Sequence, residues 1–384
     1  MALAAPVQNP DDPQQELLRS GYVLEEPVIQ RMAELGIASV YVTYPKLHDL
    51  DRHLEASLCP ARKRIYAQIK DTFARCQKEV APDVNFQDYY STMCQMLLTL
   101  LNKGRQPIFL DQMASLNDHE VGHAATVAHL CLLLGIRLEH YLIDQRRRLP
   151  ASHAKEVVNL GIAGMMHDIG KTKLPAHLQN CNCLSEIASE SDRRLFQTHS
   201  RLSYEMVRET FETSAANAVL HHHQHYDGGG YPRLPDKDGK PRKLAGPQIH
   251  VFARILHVAD LFERLSYLPE KKQRRPNLET LFLMRTKYAH HCDPMVLQTL
   301  HAITPPYPPG CKVGLSDGTS AIVTAVGNEE PFKPVVKRLG EDLWSLDDKP
   351  INLRKPGMPS VVTVAGLAVE PFLPKADAMA FVRA

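Results

Sequence analysis

Apolar residues recur at three- and four-residue spacing through most of the middle of the chain. Four stretches carry such a stripe: HAATVAHLCLLLGIRLEHYLIDQ, KEVVNLGIAGMMHD, RRLFQTHSRLSYEMVRET and QIHVFARILHVADLFERLS. This period is typical of helices that bury one face. The pattern therefore predicts a mainly α protein, with a helix-bundle core domain over residues 86–304.

The chain changes character on both sides of this core. Residues 1–15 are polar and spaced by prolines, which predicts a disordered tail, and residues 16–85 predict a small α/β module followed by a connecting helix. The run PPYPPG at 305–310 ends the helical pattern, and two apolar runs beyond it flank Ser-Asp-Gly. Because such runs form hairpins, residues 305–384 predict a small β-rich C-terminal appendage.

Composition excludes several classes of protein. The formal net charge is only +2 over 384 residues, so no cationic field for a nucleic-acid polymer is expected. The eight cysteines include no CxxC pair, which argues against a disulfide framework. The longest apolar runs are shorter than the roughly 20 residues of a membrane span, and the N-terminus lacks the basic region of a secretory signal. We therefore expect a cytoplasmic protein without a membrane span.

Histidine is the residue type whose placement is unusual. Of the 19 histidines, 12 lie between His119 and His225. Several lie on or at the end of a predicted helix together with aspartate, and imidazoles with carboxylates and no thiolate suit a first-row divalent ion. Five histidines and two aspartates exceed the needs of one ion, so we expect two ions and a bridging carboxylate. The candidates are His123, His167, Asp168, His199, His222, His223 and Asp260.

Two such ions indicate a reaction class. Metal pairs about 3.5–4 Å apart commonly catalyse phosphoester hydrolysis, because they lower the pKa of a bridging water and hold the phosphoryl oxygens. Lys171 follows Asp168 by one helical turn and is placed to contact a phosphate oxygen. Asp168 and Lys171 are therefore the predicted catalytic residues.

Two motifs carry a resemblance to a known family. The run HDIGK at 167–171, followed by HHHQHYDGGGYP at 221–232, resembles the HD-GYP family, a subset of the HD phosphohydrolases. The stretches THSRLSYEMV and FARILHVADLFERL are similar to the family's intermediate histidine helix and its late aspartate helix. The resemblance runs from about residue 90 to 300 and implies an HD-type helical bundle.

The resemblance also implies an activity: metal-dependent hydrolysis of cyclic di-GMP to pGpG or GMP in bacterial second-messenger signalling. It implies iron or manganese at a centre of two or three ions, with zinc or nickel as alternatives. His119 is then a candidate ligand of a third ion or a hydrogen-bonded supporting histidine. Carried over by position, one ion is held by His123, His167, Asp168 and Asp260, the other by His199, His222 and His223 with Asp168 bridging, and the substrate loop is Gly230, Tyr231 and Pro232.

The chain departs from the family pattern at two positions. Gln224 stands where glutamate usually follows the histidine pair, and Pro269 stands where an arginine commonly helps to hold phosphate. Arg274 or Arg275 is the expected substitute. Two alternatives to the enzyme stay open: a binding module for a cyclic dinucleotide with little turnover, and a phosphohydrolase of another nucleotide. A homodimer or a signalling partner is expected to act through the N-terminal module.

Overall fold

The described part of the chain is mainly helical, which confirms the predicted fold class. The computed structural model describes residues 1–9, 15–35, 37, 40, 42–43, 46–47, 50, 59–79, 85–102, 119–233, 235, 238–268, 273–327, 329–341 and 345–373, and of residues 59, 60, 62, 63, 119 and 273 it describes the backbone alone. The helices are α1 (Glu26–Glu34), α2 (Cys59–Lys78), α3 (Phe86–Asn102), α4 (His119–Arg137), α5 (Glu139–Gln145), α6 (Ala151–Ala154), α7 (Val158–Met166), α8 (Ala176–Gln179), α9 (Glu190–Gln197), α10 (His199–Val207), α11 (Thr213–His221), α12 (Val251–Ser266), α13 (Asn277–Thr286) and α14 (Pro294–Ile303).

Helix α4 lies at the centre of the helical core because it carries apolar side chains on every face. Residues 121–135 are all buried except Leu133. Helices α2, α7, α12 and α14 pack around it, and α11 packs against both α7 and α12. A 3-10 turn over Ile169–Lys173 follows α7 and packs against α10. This arrangement brings the ends of α7 and α11 close to the start of α10.

The N-terminal module consists of short strand pairs and one helix. Strand β1 (Ala2–Leu3) pairs with β4 (Val42–Thr43), and β2 (Val7–Gln8) pairs with β3 (Glu16–Leu18), all antiparallel. Residues 1–9 thus differ from the disordered tail predicted for 1–15, because Leu3 and Val7 are buried with Met32 in a small apolar cluster. The run ASVYVTY at 38–44 predicts a further strand of this module, and most of it lies outside the described residues.

The C-terminal appendage is a six-stranded antiparallel sheet, as the hairpin pattern predicted. Strands β7 (Lys312–Leu315) and β8 (Ser320–Ala325) pair across the Ser-Asp-Gly turn, with Gly314 opposite Ser320. The sheet has its own apolar core, which Leu278 of α13 joins and which therefore ties the sheet to the helical core. Its spatial order is β10 (Ile351–Asn352), β9 (Val335–Arg338), β8 (Ser320–Ala325), β7 (Lys312–Leu315), β11 (Val361–Val364) and β12 (Leu367–Ala368).

Two further features complete the fold. A two-stranded hairpin of β5 (Tyr267–Leu268) and β6 (Gln273–Arg274) directly follows α12. Within the described ranges, no single helix has both the length and the apolar composition of a membrane span. The segments Glu120–Arg137 and Glu139–Gln145 meet that criterion only as a pair, which bends by 83°.

Candidate metal centre

Five helices bring the candidate ligands to one point inside the core. All seven side chains are buried, and the ligand atoms of six of them, all but Asp260, fall into two groups that share Asp168. The structure thus brings together the residues singled out from the sequence, while their role as metal ligands stays a prediction. The positions are His123 on α4, His167 and Asp168 after α7, His199 at the start of α10, His222 and His223 after α11, and Asp260 on α12.

Three of the histidine rings are oriented by carbonyls in the last turn of the helix that precedes each of them. The last carbonyls of a helix lack intrahelical partners, and in each case the ring Nδ1–H donates to the carbonyl three residues earlier. Because a carbonyl only accepts hydrogen bonds, the proton lies on Nδ1 and the Nε2 lone pair faces the interior. The pairs are His167 with Gly164 (2.8 Å), His199 with Phe196 (2.6 Å) and His222 with Val219 (2.7 Å).

The first group of ligand atoms is an acceptor cluster around one oxygen of Asp168. Its Oδ1 lies 3.2 Å from Nε2 of His199 and 3.5 Å from Nε2 of His222, and the two Nε2 atoms are 3.4 Å apart. Burial lowers the pKa of His222 to about 4, so this imidazole is neutral at physiological pH. Asp168 Oδ1 is buried and accepts no hydrogen bond from any described residue. A cation fits between these three acceptors.

The second group lies on the other side of Asp168. Its Oδ2 is 3.4 Å from Nε2 of His167 and 3.8 Å from Nε2 of His123. Asp260 Oδ1 lies 3.3 Å from the same His123 nitrogen and, within the described part of the chain, is likewise buried without a hydrogen-bond partner. The two oxygens of Asp168 therefore face different imidazole groups, which is the arrangement a bridging carboxylate requires.

The charges of the site favour cations. Burial raises the pKa of Asp168, but the charges of His167 and Lys171 outweigh it, so the pKa lies well below its usual value and the group is ionised. Burial lowers the pKa of His123, but the carboxylates of Glu263 and Asp260 outweigh it and raise that pKa to about 10. A metal ion at Nε2 of His123 would take the place of that proton.

Lys171 is held inside the protein. Its ammonium lies 2.9 Å from Asp168 Oδ2, 3.0 Å from Glu120 Oε2 and 3.1 Å from the carbonyl oxygen of Cys181. An ammonium has three N–H donors, so these acceptors use all of them, and the side chain is buried. Lys171 was expected to contact a phosphate oxygen. In the structure its ammonium binds instead to the carboxylate of Glu120, which lies 51 positions earlier in the chain.

The loop with the Gly-Tyr-Pro sequence closes one side of the centre. A Cβ on Gly230 would lie 2.0 Å from the carbonyl oxygen of His223, so only glycine allows this approach. The backbone N–H of Tyr231 donates to the same carbonyl at 3.1 Å, and its ring lies 4.6 Å from the His223 ring. Gln224, the departure from the family pattern, donates to the carbonyl of Pro232 at 2.5 Å. It therefore anchors the loop.

Sequence reasoning missed three supporting side chains. Glu263 accepts from Nδ1–H of His123 at 2.5 Å, and His257 donates from Nδ1 to the carbonyl of His222 at 2.9 Å. Arg264 forms a short ion pair with Asp260. Glu263 and Arg264 follow Asp260 by three and four residues, which is the spacing of one helix face and the signal that could have found them.

Other expected residues have different positions. Arg274 pairs with Glu263 at 3.2 Å, and Arg275 pairs with Glu279 at 3.3 Å, so both proposed substitutes for the missing arginine are bound elsewhere. Pro269 and the side chain of His119 lie outside the described residues. The role of His119 at a third ion stays a prediction.

Comparisons with known proteins show similarity to the HD domain over the part of the chain that contains these residues. A family model of the HD domain matches residues 111–296. The chain is 24% identical over 349 residues to cyclic di-GMP phosphodiesterase PA4108 of Pseudomonas aeruginosa, a match that covers 83% of this chain and 78% of that protein. It is 32% identical over 114 residues to the cyclic di-GMP phosphodiesterase response regulator RpfG of Xanthomonas campestris pv. campestris, which covers 29% of this chain and 27% of that protein. Among solved structures, Bd1817, a HDG"Y"P protein from Bdellovibrio bacteriovorus, matches with a TM-score of 0.45 and 13% identity over 78% of this chain and 94% of that one.

Proposed function

Because a family model of the HD domain matches residues 111–296, we propose that the chain is a metal-dependent phosphodiesterase that hydrolyses cyclic di-GMP to pGpG, GMP or both. The matched residues 111–296 contain all seven candidate ligands. Both curated relatives carry the name cyclic di-GMP phosphodiesterase. The reaction ends a second-messenger signal.

One observation carries the proposal: the buried Asp168 Oδ1 has no hydrogen-bond donor among the described residues, although two imidazole nitrogens lie beside it. The Nε2 atoms of His199 and His222 are its neighbours at 3.2 and 3.5 Å. Facing lone pairs and a carboxylate oxygen repel one another at these distances unless a cation lies between them. A purely structural cluster of histidines would satisfy itself by hydrogen bonds.

We propose two divalent ions, one in each group of ligand atoms, with Asp168 between them. Imidazole nitrogen and carboxylate oxygen without thiolate support iron or manganese, with zinc or nickel as alternatives. His223 belongs to the group around His199, since their Nε2 atoms are 3.0 Å apart. Glu263 supports the other group, because its carboxylate accepts a hydrogen bond from His123 and so fixes the orientation of that ring. Metal-bound histidines are commonly held in this way.

The chemistry needs water activation and charge neutralisation. Divalent ions supply both when bound, by lowering the pKa of a water and by holding phosphoryl oxygens. Hydrolysis forms a bond from the water oxygen to phosphorus and breaks the bond from phosphorus to the ribose 3′ oxygen. One water proton ends on that 3′ oxygen, and the other is released to solvent.

The chain's own residues hold this centre in place. Lys171 acts as a positioning residue, because its ammonium fixes Asp168 Oδ2 at 2.9 Å and offsets the buried negative charge. The loop of Gly230, Tyr231 and Pro232 covers the imidazole of His223 and excludes water from that side. Preorganised groups of this kind lower the cost of reorganisation during the reaction.

A direct assay tests the proposal. The purified chain, reconstituted with Mn²⁺ or anaerobically with Fe²⁺, is incubated with cyclic di-GMP and with 3′,3′-cGAMP, and the products are separated by chromatography. We expect linear product from the native chain, and loss of both metal and product in Asp168→Ala, His199→Ala and His222→Ala. The exposed His177 provides the control, since His177→Ala should change neither quantity.

The outcomes distinguish the alternatives. Tight binding of cyclic di-GMP without formation of product would indicate that the chain is a binding module and not an enzyme. Activity on other nucleotides alone would indicate a different phosphohydrolase. Full metal content and full activity in His199→Ala would refute the proposed ligands.

We also propose that the N-terminal module contacts a second copy of the chain or a signalling partner. Tyr22, Val23 and Ile29 expose apolar surface there, which supports a contact role. Light scattering of the native chain and of Val23→Glu tests the dimer, which the variant should weaken. A monomeric native chain would leave only the partner.

A further inference from the structure

Arg264 lies at the edge of the metal centre, on the same face of α12 as Asp260. Its Nη2 forms a short ion pair with Asp260 Oδ2, and its Nη1 donates to the carbonyl of Asn182 at 3.0 Å. Nη2 also lies 3.5 Å from Nδ1 of His223. The side chain is 16% exposed, whereas the side chain of Asp260 is 1% exposed. The guanidinium therefore lies nearer to the protein surface than the buried carboxylate with which it pairs.

The guanidinium has donors to spare. Arginine carries five N–H donors in a rigid fork, and the three acceptors near Arg264 account for at most three of them. Its Nε finds no acceptor in the described ranges. Lys171 differs in this respect, because three acceptors occupy its three donors.

Arg264 lies close to the loop of Gly230, Tyr231 and Pro232 as well as to the candidate metal centre. The charge of Arg264 acts on Tyr231 of the Gly-Tyr-Pro loop, where burial raises the pKa well above its usual value and the arginine opposes the rise. Burial lowers the pKa of Arg264 itself. The charges of Asp260, Tyr231 and Asp168 outweigh that effect and raise the pKa. Arg264 thus stands between the carboxylates of the centre and the loop beside it.

We propose that Arg264 binds the phosphodiester group that is hydrolysed, holding Asp260 with one edge of the guanidinium and a non-bridging phosphate oxygen with another. The inference rests on the proposed function and names the residue that supplies the phosphate contact in this chain. Arginine suits this double role because its planar fork bonds two acceptors in fixed geometry, which the single point charge of lysine does not. Arg274 and Arg275 pair instead with Glu263 and Glu279, neither of which is one of the seven candidate ligands.

The test compares Arg264→Ala and Arg264→Lys with the native chain and with Arg201→Ala, an exposed arginine of α10. Metal content is measured by elemental analysis, and kcat and KM for cyclic di-GMP are measured at saturating Mn²⁺. We expect both Arg264 variants to keep two ions, kcat/KM to fall about 100-fold in Arg264→Ala, the lysine variant to recover part of it, and added guanidinium chloride to restore activity to the alanine variant.

Two results would overturn the proposal. Metal content that falls in parallel with activity would show that Arg264 only positions Asp260, and unchanged kinetics would show that it does not touch the phosphate. Failure of the proposed function is a separate result, because the native chain would then yield no product under any metal. If the native chain binds cyclic di-GMP without turnover, the dissociation constant replaces kcat/KM and should rise by a similar factor in Arg264→Ala.

Discussion

Substituting Gly170 by alanine tests whether the activity depends on the close packing that brings Asp168 next to His199. A Cβ at Gly170 would lie 2.2 Å from the carbonyl oxygen of His199 and 2.5 Å from the backbone nitrogen of Ser203, against 3.4 Å for ordinary contact. Both obstacles are backbone of α10, so the 3-10 turn and the helix must separate by about 1 Å. The Asp168 carboxylate precedes the turn and His199 begins the helix, so the distance of 3.2 Å between them grows by a similar amount.

Two magnitudes follow from this displacement. Overpacking costs about 1–3 kcal/mol of unfolding free energy, which lowers Tm by roughly 2–4 °C per kcal/mol in a core of this size. A misplacement of about 1 Å at a reacting centre costs roughly 100-fold in rate. We therefore expect Gly170→Ala to lose a modest amount of stability and nearly all of its activity.

The assay separates position from stability. Thermal unfolding, metal content and cyclic di-GMP hydrolysis are measured for Gly170→Ala and for Val207→Ala, which removes buried volume from the same helix two turns away from His199. The valine variant should lose a comparable roughly 1–2 kcal/mol and keep its metal and its rate. A Gly170→Ala chain with two ions and a rate within about twofold of native would refute the reasoning.

Three further predictions concern stability. Asp293→Ala leaves the buried Arg254 guanidinium without its carboxylate and should cost about 3–5 kcal/mol in urea unfolding; a loss under about 1 kcal/mol would contradict the pairing. Removing the metal with EDTA should lower Tm by about 8–16 °C, since an ion at about 1,000 times its Kd contributes about 4 kcal/mol; an unchanged Tm would argue against bound ions. Burial, reinforced by Arg146, lowers the pKa of His250 to about 4, so its contribution to stability is lost as pH falls from about 6.5 to about 4. In His250→Asn, which keeps a capping side chain, the urea midpoint should fall less over that range.

That these seven side chains come together could be predicted from the sequence, because each of them lies at a helix end or on a helix face. His167 and His222 end apolar helical stretches, and Asp260 lies on the stripe of another. What the pattern lacks is the pairing of distant segments. Nothing local shows that Glu263 meets His123, 140 positions earlier, or that Lys171 meets Glu120, 51 positions earlier.

The ends of the chain were harder to predict than its middle. Helical periodicity persists over many residues, whereas the strands of the N-terminal module are two or three residues long and carry almost no pattern. Leu3 and Val7 belong to the short apolar run MALAAPV, and the packing of α1 against them accounts for their burial. The C-terminal hairpin was readable because its turn sequence is specific and Gly318 adopts a positive φ of 84°.

The backbone anchors on His167, His199 and His222 have a consequence for how the centre fills. The tautomer and orientation of each ring are fixed in the folded protein before an ion binds. Binding of the ion therefore restricts little further side-chain motion. The slow step of loading is then the stripping of water from the incoming cation. Fast-exchanging Mn²⁺ should load sooner than Ni²⁺, whatever their final affinities.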